Sequence, residues 1–415
     1  MTATIDLQFG ERRLANGLTL VAIRNPGVET FAAALALDVD LRDEARGEEG
    51  LANLVGDCLD EGSTRRDGVA IAVAAEDLGA ALEGASNGGS VACPAAAARK
   101  SLDLLVEIVA TPSFPAREVA RVQAEIRSEI LSDLEDPQTV AGLRFRKEVY
   151  GKHPFARPSQ GTKAGISKLR RQDLVRFHKK WFTTGNGLFV AAGPDPVEKT
   201  LDLLGKAARP LRSGTNVHAP LPAIPRPNGF REVHVPMPRE QVHVYLGHPG
   251  IRRTDPDYYA LLVMDHVLGT GPGFTSRISR KLRDEQGLCY SVSAAITSSA
   301  GEEPGTFTAY IGTSPEHRQK AIDGFLAEMR RIRLAPPTAD ELKDVQDYLT
   351  GSFVFGLERN MNLVRYGIRA KRFGLGLDYL QRYPDLIRGV TLDDVQRVAD
   401  RHLQPDDVVV VSAGA

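Results

Sequence analysis

Cysteine is scarce in this chain: three residues among 415, Cys58, Cys93 and Cys289. They are odd in number, far apart and never in a CxxC. That argues against a disulfide framework and a zinc knuckle, and it suits a reducing compartment. Net charge is nearly absent as well. Lys and Arg total 52 against 53 Asp and Glu, a formal charge of −1 with a pI near 6.8. Without a basic excess, binding to nucleic acid through a basic surface is excluded. No run of 18 apolar residues occurs, so no membrane-spanning helix is expected. The opening MTATIDLQFGERRL has no basic stretch leading into an apolar one. A cytoplasmic location is therefore expected, or a periplasmic one if a leader has been trimmed. Metal-spaced histidines are also missing: the 9 histidines make no HxH, HxxH or HxxxH.

What is present is the balance of a globular protein, 42% hydrophobic and 25% charged. The length suits two domains. A proline-rich stretch from Lys206 to Gly229, KAARPLRSGTNVHAPLPAIPRPNG, reads as an extended linker. The expected division is 1–207, a linker at 208–229, and 230–415. The halves resemble each other. ISKLRRQDLVRFHKKWFTTGNGLFVAAG, from Ile166, aligns without a gap with IRGVTLDDVQRVADRHLQPDDVVVVSAG, from Ile387. Asp173 meets Asp394 and Gly193 meets Gly414. Each block reads as a capped helix, a turn and a buried strand, and so long a period means a duplicated domain. Within each half, strands come first. Arg12–Arg24 is a hairpin pattern around Asn16-Gly17. REVHVPM and QVHVYLGHP repeat the strand pattern in the second half. Helical spacing follows in both. The expected fold class is α+β: two homologous α/β-roll domains, each a mainly antiparallel sheet with helices on one face.

The stretch GLANLVGDCLDEG, Gly50–Gly62, is where chemistry is expected. Leu51, Leu54, Val55, Cys58 and Leu59 make an apolar helix face. Asn53, Gly56 and Asp57 share the other, at the spacing with which two side chains can grip one ion. An HxxEH sequence does so with zinc, its glutamate activating water. Here asparagine is a poor ligand, glycine is no base, and Asp57 alone does not fix a tetrahedral ion. A hard ion such as calcium on Asn53, Asp57 and a distant glutamate is the alternative, although such sites need six or more oxygens. Gly56 is also costly inside a helix, by about 1 kcal/mol relative to alanine.

GLANLVGDCLDEGST resembles the GLAHxLEHMxFxGT motif of the inverzincin peptidases, the family of pitrilysin, insulin-degrading enzyme and the mitochondrial processing peptidase. Gly50, Leu51, Ala52 and Gly62 keep their places, and Thr64 follows one residue beyond the motif's threonine. Asn53 stands for the first zinc histidine, Gly56 for the catalytic glutamate and Asp57 for the second histidine. The resemblance runs along the chain. LGAALEGASNGGS looks like the strand beside the active cleft. TPSFP precedes the helix of the third zinc ligand, where EIRSEI places Glu129; Val122 takes the position of a supporting glutamate. YGKHPFARPSQGT matches YGxHPxxxxxxGT, with His153 read as structural. GTGPGFTSRISRKLRDEQGLCYS resembles GGGxSSRLFxxLREKxGLAYS of the second domain. Its arginine and tyrosine, which bind substrate carbonyls and the oxyanion, correspond to Arg283 and Tyr290 here.

The resemblance implies the fold of the processing peptidase and a non-catalytic subunit of a heterodimeric zinc metalloendopeptidase. No metal is expected on this chain. Zinc would belong to a homologous partner bearing HxxEH, a peptide would be the substrate, and Arg283 and Tyr290 would act in trans on developing negative charge. The chain would not be active alone. The alternative is an inactive peptide-binding or structural scaffold. A third reading, a hydrolase using Cys58 or Cys289, lacks a sequence-adjacent histidine to activate the thiol.

Overall fold

The computed structural model describes residues 7–272 and 275–415. Two sheets are present among them. The first contains β1 (Gln8–Arg13), β2 (Thr19–Arg24), β3 (Thr30–Ala36), β4 (Ala81–Ala85), β5 (Gly88–Pro94) and β6 (Leu188–Gly193), in the order β1-β2-β6-β3-β5-β4. The second contains β7 (Arg231–Pro236), β8 (Val242–Pro249), β9 (Val292–Ala295), β10 (Thr306–Thr313) and β11 (Val409–Gly414), in the order β7-β11-β8-β10-β9. Setting β1 aside, the two orders are the same. Each sheet has one parallel pair, β2 with β6 and β7 with β11, and is otherwise antiparallel. The α+β fold and its duplication are therefore present strand for strand. The gap-free sequence block is the most exact part. The helix Arg171–Trp181 and β6 recur as the helix Leu392–His402 and β11. The hairpin around Asn16-Gly17 forms as β1 and β2, with Arg13 opposite Thr19 and Gly17 at φ 88°, the left-handed conformation such a turn needs.

On one face of the first sheet, Leu20, Ala22, Leu35, Phe189 and Ala191 pack with Leu54, Leu105 and Leu204 from the helices. Alternate strand residues point the other way, and on that second face the helix Asn360–Arg372 packs against β2, β3 and β6. Its Gly367 lies against Val190 and Ile23. In the second sheet the corresponding place is taken by Pro137–Tyr150, whose Ala141, Phe145 and Val149 cluster with Val409, Val411 and Ala413.

The compact units consequently differ from the contiguous segments 1–207 and 230–415 expected from sequence. One unit comprises residues 1–131, 157–220 and 355–377; the other comprises 132–156, 221–354 and 378–415. The cause is an exchange of equivalent helices. Each half donates the helix that buries the far face of the other half's sheet, so apolar packing overrides chain order. The linker carries neither helix nor strand from 212 to 230. Part of it is tied to the first unit. The His218 ring stacks on Trp181 at 5.6 Å, with Nδ1 2.7 Å from an oxygen of Asp43.

The helix interface yields a paired prediction. A Cβ on Gly367 would lie 2.8 Å from Val190 Cγ1, whereas one on Gly351, also inside a helix, meets nothing within 4 Å. Gly367→Ala is expected to lower stability by roughly 1 kcal/mol or more, and Gly351→Ala to raise it by about 0.5–1 kcal/mol. Thermal melts of the two variants against the parent check both signs.

Candidate functional site

The helix that carries the degenerate motif is short, Leu51–Asp57. It ends earlier than the apolar spacing suggested. Cys58 N–H and Leu59 N–H turn back to the carbonyls of Val55 and Gly56, so these two side chains reach the core from a turn. Leu51, Leu54, Val55, Cys58 and Leu59 are all fully buried. The N-cap position holds Gly50 at φ 92° with no side chain to offer. Glu44 takes over that task. Its carboxylate accepts from Gly50 N–H at 3.2 Å and from Ala52 N–H at 2.9 Å. Burial pushes the Glu44 carboxyl up to about 7, against the pull of those two N–H groups. The sequence offers no signal for this role, because Glu44 stands among Asp43, Glu48 and Glu49 in one acidic run.

On the opposite face, the Asn53 side-chain amide donates to Asp57 Oδ2 at 2.8 Å. Glu129 lies on the helix Ala116–Asp133, exposed, and near enough for its charge to act on Asp57. The Asp57 carboxyl is raised to about 6, first by desolvation and then by Glu129 and Asp60, with the Asn53 bond opposing. Its side chain still reaches solvent. Val122, seven residues or about two helical turns before Glu129, is buried in the core. The structure thus gathers Asn53, Asp57 and Glu129.

Gly56 is buried, unlike its neighbours on that face. A Cβ there would come within 2.5 Å of Ser86 N and 2.6 Å of the Ala85 carbonyl carbon, where β4 ends and its turn toward β5 begins. Across the same contact, a Cβ on Gly84 would fall 2.4 Å from the Gly56 carbonyl oxygen. Two glycines let strand backbone lie directly on helix backbone, where the family pattern puts a glutamate side chain. These residues do not fit zinc. They offer an amide already bonded to the one helix carboxylate, no imidazole or thiolate, and a base position filled by main chain.

In the second unit, Arg283 sits in a π-helical turn, Ser279–Glu285, a widened geometry frequent at functional sites. Its guanidinium carbon is 5.7 Å from the Tyr290 ring centre and one Nη is 3.6 Å from Asp284. Tyr290 is 84% exposed. A preceding π-helical segment, His266–Thr270, continues the helix Tyr258–Asp265. The glycine-rich loop beyond it includes Gly273 and Phe274, outside the described residues.

Other candidates resolve as structure. His153 is buried between Tyr150 and Phe155. Burial drives the thiols of Cys58 and Cys289 up to about 12 and 11, which removes them as nucleophiles near neutral pH. Asp255, Asp257 and His402 converge, a grouping no sequence spacing announced. Asp257 is taken up by Arg397 at 2.7 Å, His402 at 2.8 Å and Arg401 at 3.1 Å, an ion-pair network.

Similarities to known proteins follow these features. Residues 168–349 match the family model described as the Peptidase M16 inactive domain. An uncharacterized zinc protease of Streptomyces coelicolor is 27% identical over 401 residues, covering 93% of this chain and 85% of that one. The non-peptidase homolog YmxG of Helicobacter pylori is 24% identical over 310 residues, 74% of this chain and 70% of its own. A crystal structure of a peptidase M16 inactive domain from Pseudomonas fluorescens superposes with a TM-score of 0.91 at 25% identity, covering 98% of both chains.

Two predictions come from the helix face. Gly56→Ala should gain about 1 kcal/mol of helix propensity yet lose roughly 1–3 kcal/mol to the clash with backbone that has no side chain to swing away. Its chemical-unfolding midpoint should therefore fall. For Asp57, the folded pKa of about 6 lies above the ordinary 3.8. The folded state then binds the proton more tightly than the unfolded state, and stability declines as pH rises between those values. Asp57→Asn, neutral throughout, is expected to melt higher than the parent above pH 6. The gain is roughly 0.5–1 kcal/mol for a solvent-screened carboxylate, and it disappears below about pH 4.

Proposed function

From the premise that the chain belongs to the M16 peptidase family through its inactive domain, we propose that it is the non-catalytic half of a two-chain zinc endopeptidase. The partner in this reading is a homologous chain with an intact HxxEH, and this chain holds no zinc of its own. The metal chemistry is the partner's: its zinc polarises the scissile carbonyl and its glutamate activates water.

This chain's contribution is made by Arg283 and Tyr290. Both are hydrogen-bond donors, and both bear on a peptide carbonyl as negative charge develops on its oxygen. One contrast carries the reading. The face that would hold metal is closed by Gly56 and Gly84, while the donor pair stays within 5.7 Å of each other with Tyr290 turned to solvent. A large aromatic side chain left 84% exposed beside a guanidinium is a surface suited to contact.

The test uses both chains, each alone and then mixed, with cleavage of a fluorogenic peptide as readout. Activity is expected only from the mixture. Arg283→Ala or Tyr290→Phe should lower kcat of the mixture by roughly ten- to a thousandfold, the effect of losing one oxyanion donor. Full activity from the partner alone would remove the catalytic role and leave the chain as a peptide-holding scaffold.

A further inference from the structure

A groove of about 730 Å3 opens beside the helix Gly68–Asp77, within the size range of clefts that hold small ligands and peptide segments. Its floor is apolar: Val69, Ile71, Ala72, Ala75 and Leu82. The helix is unusual for a surface element. Its residues are GVAIAVAAED, and only Ile71 and Ala75 are buried, while Val69 is 76% and Val73 50% exposed. An amphipathic surface helix normally turns its valines inward.

The rim has a sign. Asp60, Glu61, Asp67 and Glu118 line it against Arg117 and Arg121. Both arginines are already engaged. Arg121 is bound by Glu61, by Glu118 at 2.8 Å and by Glu125 at 2.7 Å; Arg117 lies 3.8 Å from Glu118. Asp60 and Asp67 make no ion pair among the described residues, although the charge of Arg121 reaches Asp60, and the Asp67 carboxylate accepts from Ala70 N–H. Four carboxylates against two arginines give the rim an excess of negative charge, around an apolar floor whose Val69 and Ala72 are exposed. We propose that it binds a short peptide segment in which apolar side chains alternate with lysine or arginine, the chemistry complementary to both features. None of the zinc-position residues or the Arg283–Tyr290 pair lines this groove, and the proposal does not depend on a catalytic partner.

The experiment is fluorescence anisotropy of a labelled decapeptide alternating leucine and lysine, titrated with the full chain at low salt. Saturable binding is expected. Two matched probes, leucine with glutamate and serine with lysine, should bind at least about tenfold more weakly, since each lacks one of the two complementary features. Val69→Lys and Ala72→Arg replace groove residues that are exposed. Each should leave the thermal midpoint unchanged and weaken the leucine–lysine probe by about tenfold or more. Raising the salt toward 1 M should weaken it further as the Debye length shrinks. The proposal is overturned by any of four results: no saturable binding, equal binding of the serine–lysine probe, unchanged binding by both folded variants, or a sedimenting dimer that Val69→Lys converts to monomer, which would make the groove a seam between copies.

Discussion

Gly84 approaches the carbonyl of Gly56 so closely that neither position has room for a Cβ. That contact sets the β4–β5 hairpin against the helix Leu51–Asp57, and the local geometry depends on it. It fixes where Asn53 and Asp57 emerge, and it fills with main chain the volume that a water-activating side chain would need. The loss of chemistry here is more than a change of residue types. A glutamate at position 56 would have to displace backbone, which has no rotamer to yield. Glu44 completes the arrangement from the other end by capping a helix whose own N-cap is a glycine.

The second unit shows the complementary state. Tyr290 is 84% exposed, and Arg283 stands beside it in a π-helical turn, 5.7 Å from its ring centre. A donor in a widened turn, with a second exposed just beyond that turn, can be presented to something outside the chain. A base position filled by main chain in the first unit and an exposed tyrosine beside Arg283 in the second are the physical basis of the proposed supporting role. The acidic groove beside Val69 is a separate surface, with its own chemistry, on a molecule whose position 56 is filled by main chain.

The strand order and duplication were legible because they rest on local signals: alternating strands, a turn glycine and a gap-free helix–strand block. The departures from the metal motif were legible residue by residue, since Asn53, Gly56 and Asp57 each stand at a position to which the resemblance gives a defined chemical task. The exchange of Pro137–Tyr150 and Asn360–Arg372 was not. Both helices carry an apolar stripe, and a stripe does not say which sheet it will cover. Gly56 registered in sequence only as a costly helix glycine. Its reason, the approach of Ala85 and Ser86, spans about thirty residues and leaves no periodic trace. The groove was invisible for the same reason, because its rim comes from the end of one helix turn and the start of another element far along the chain.

The central claim is that the face bearing Asn53, Gly56 and Asp57 cannot hold a catalytic metal. The direct measurement is metal content of the purified chain after incubation with excess zinc and removal of free ion, compared with the Asp57→Asn variant. The expected result is far less than one zinc per chain, equal in parent and variant. One tightly held zinc in the parent, lost in the variant, would contradict the account.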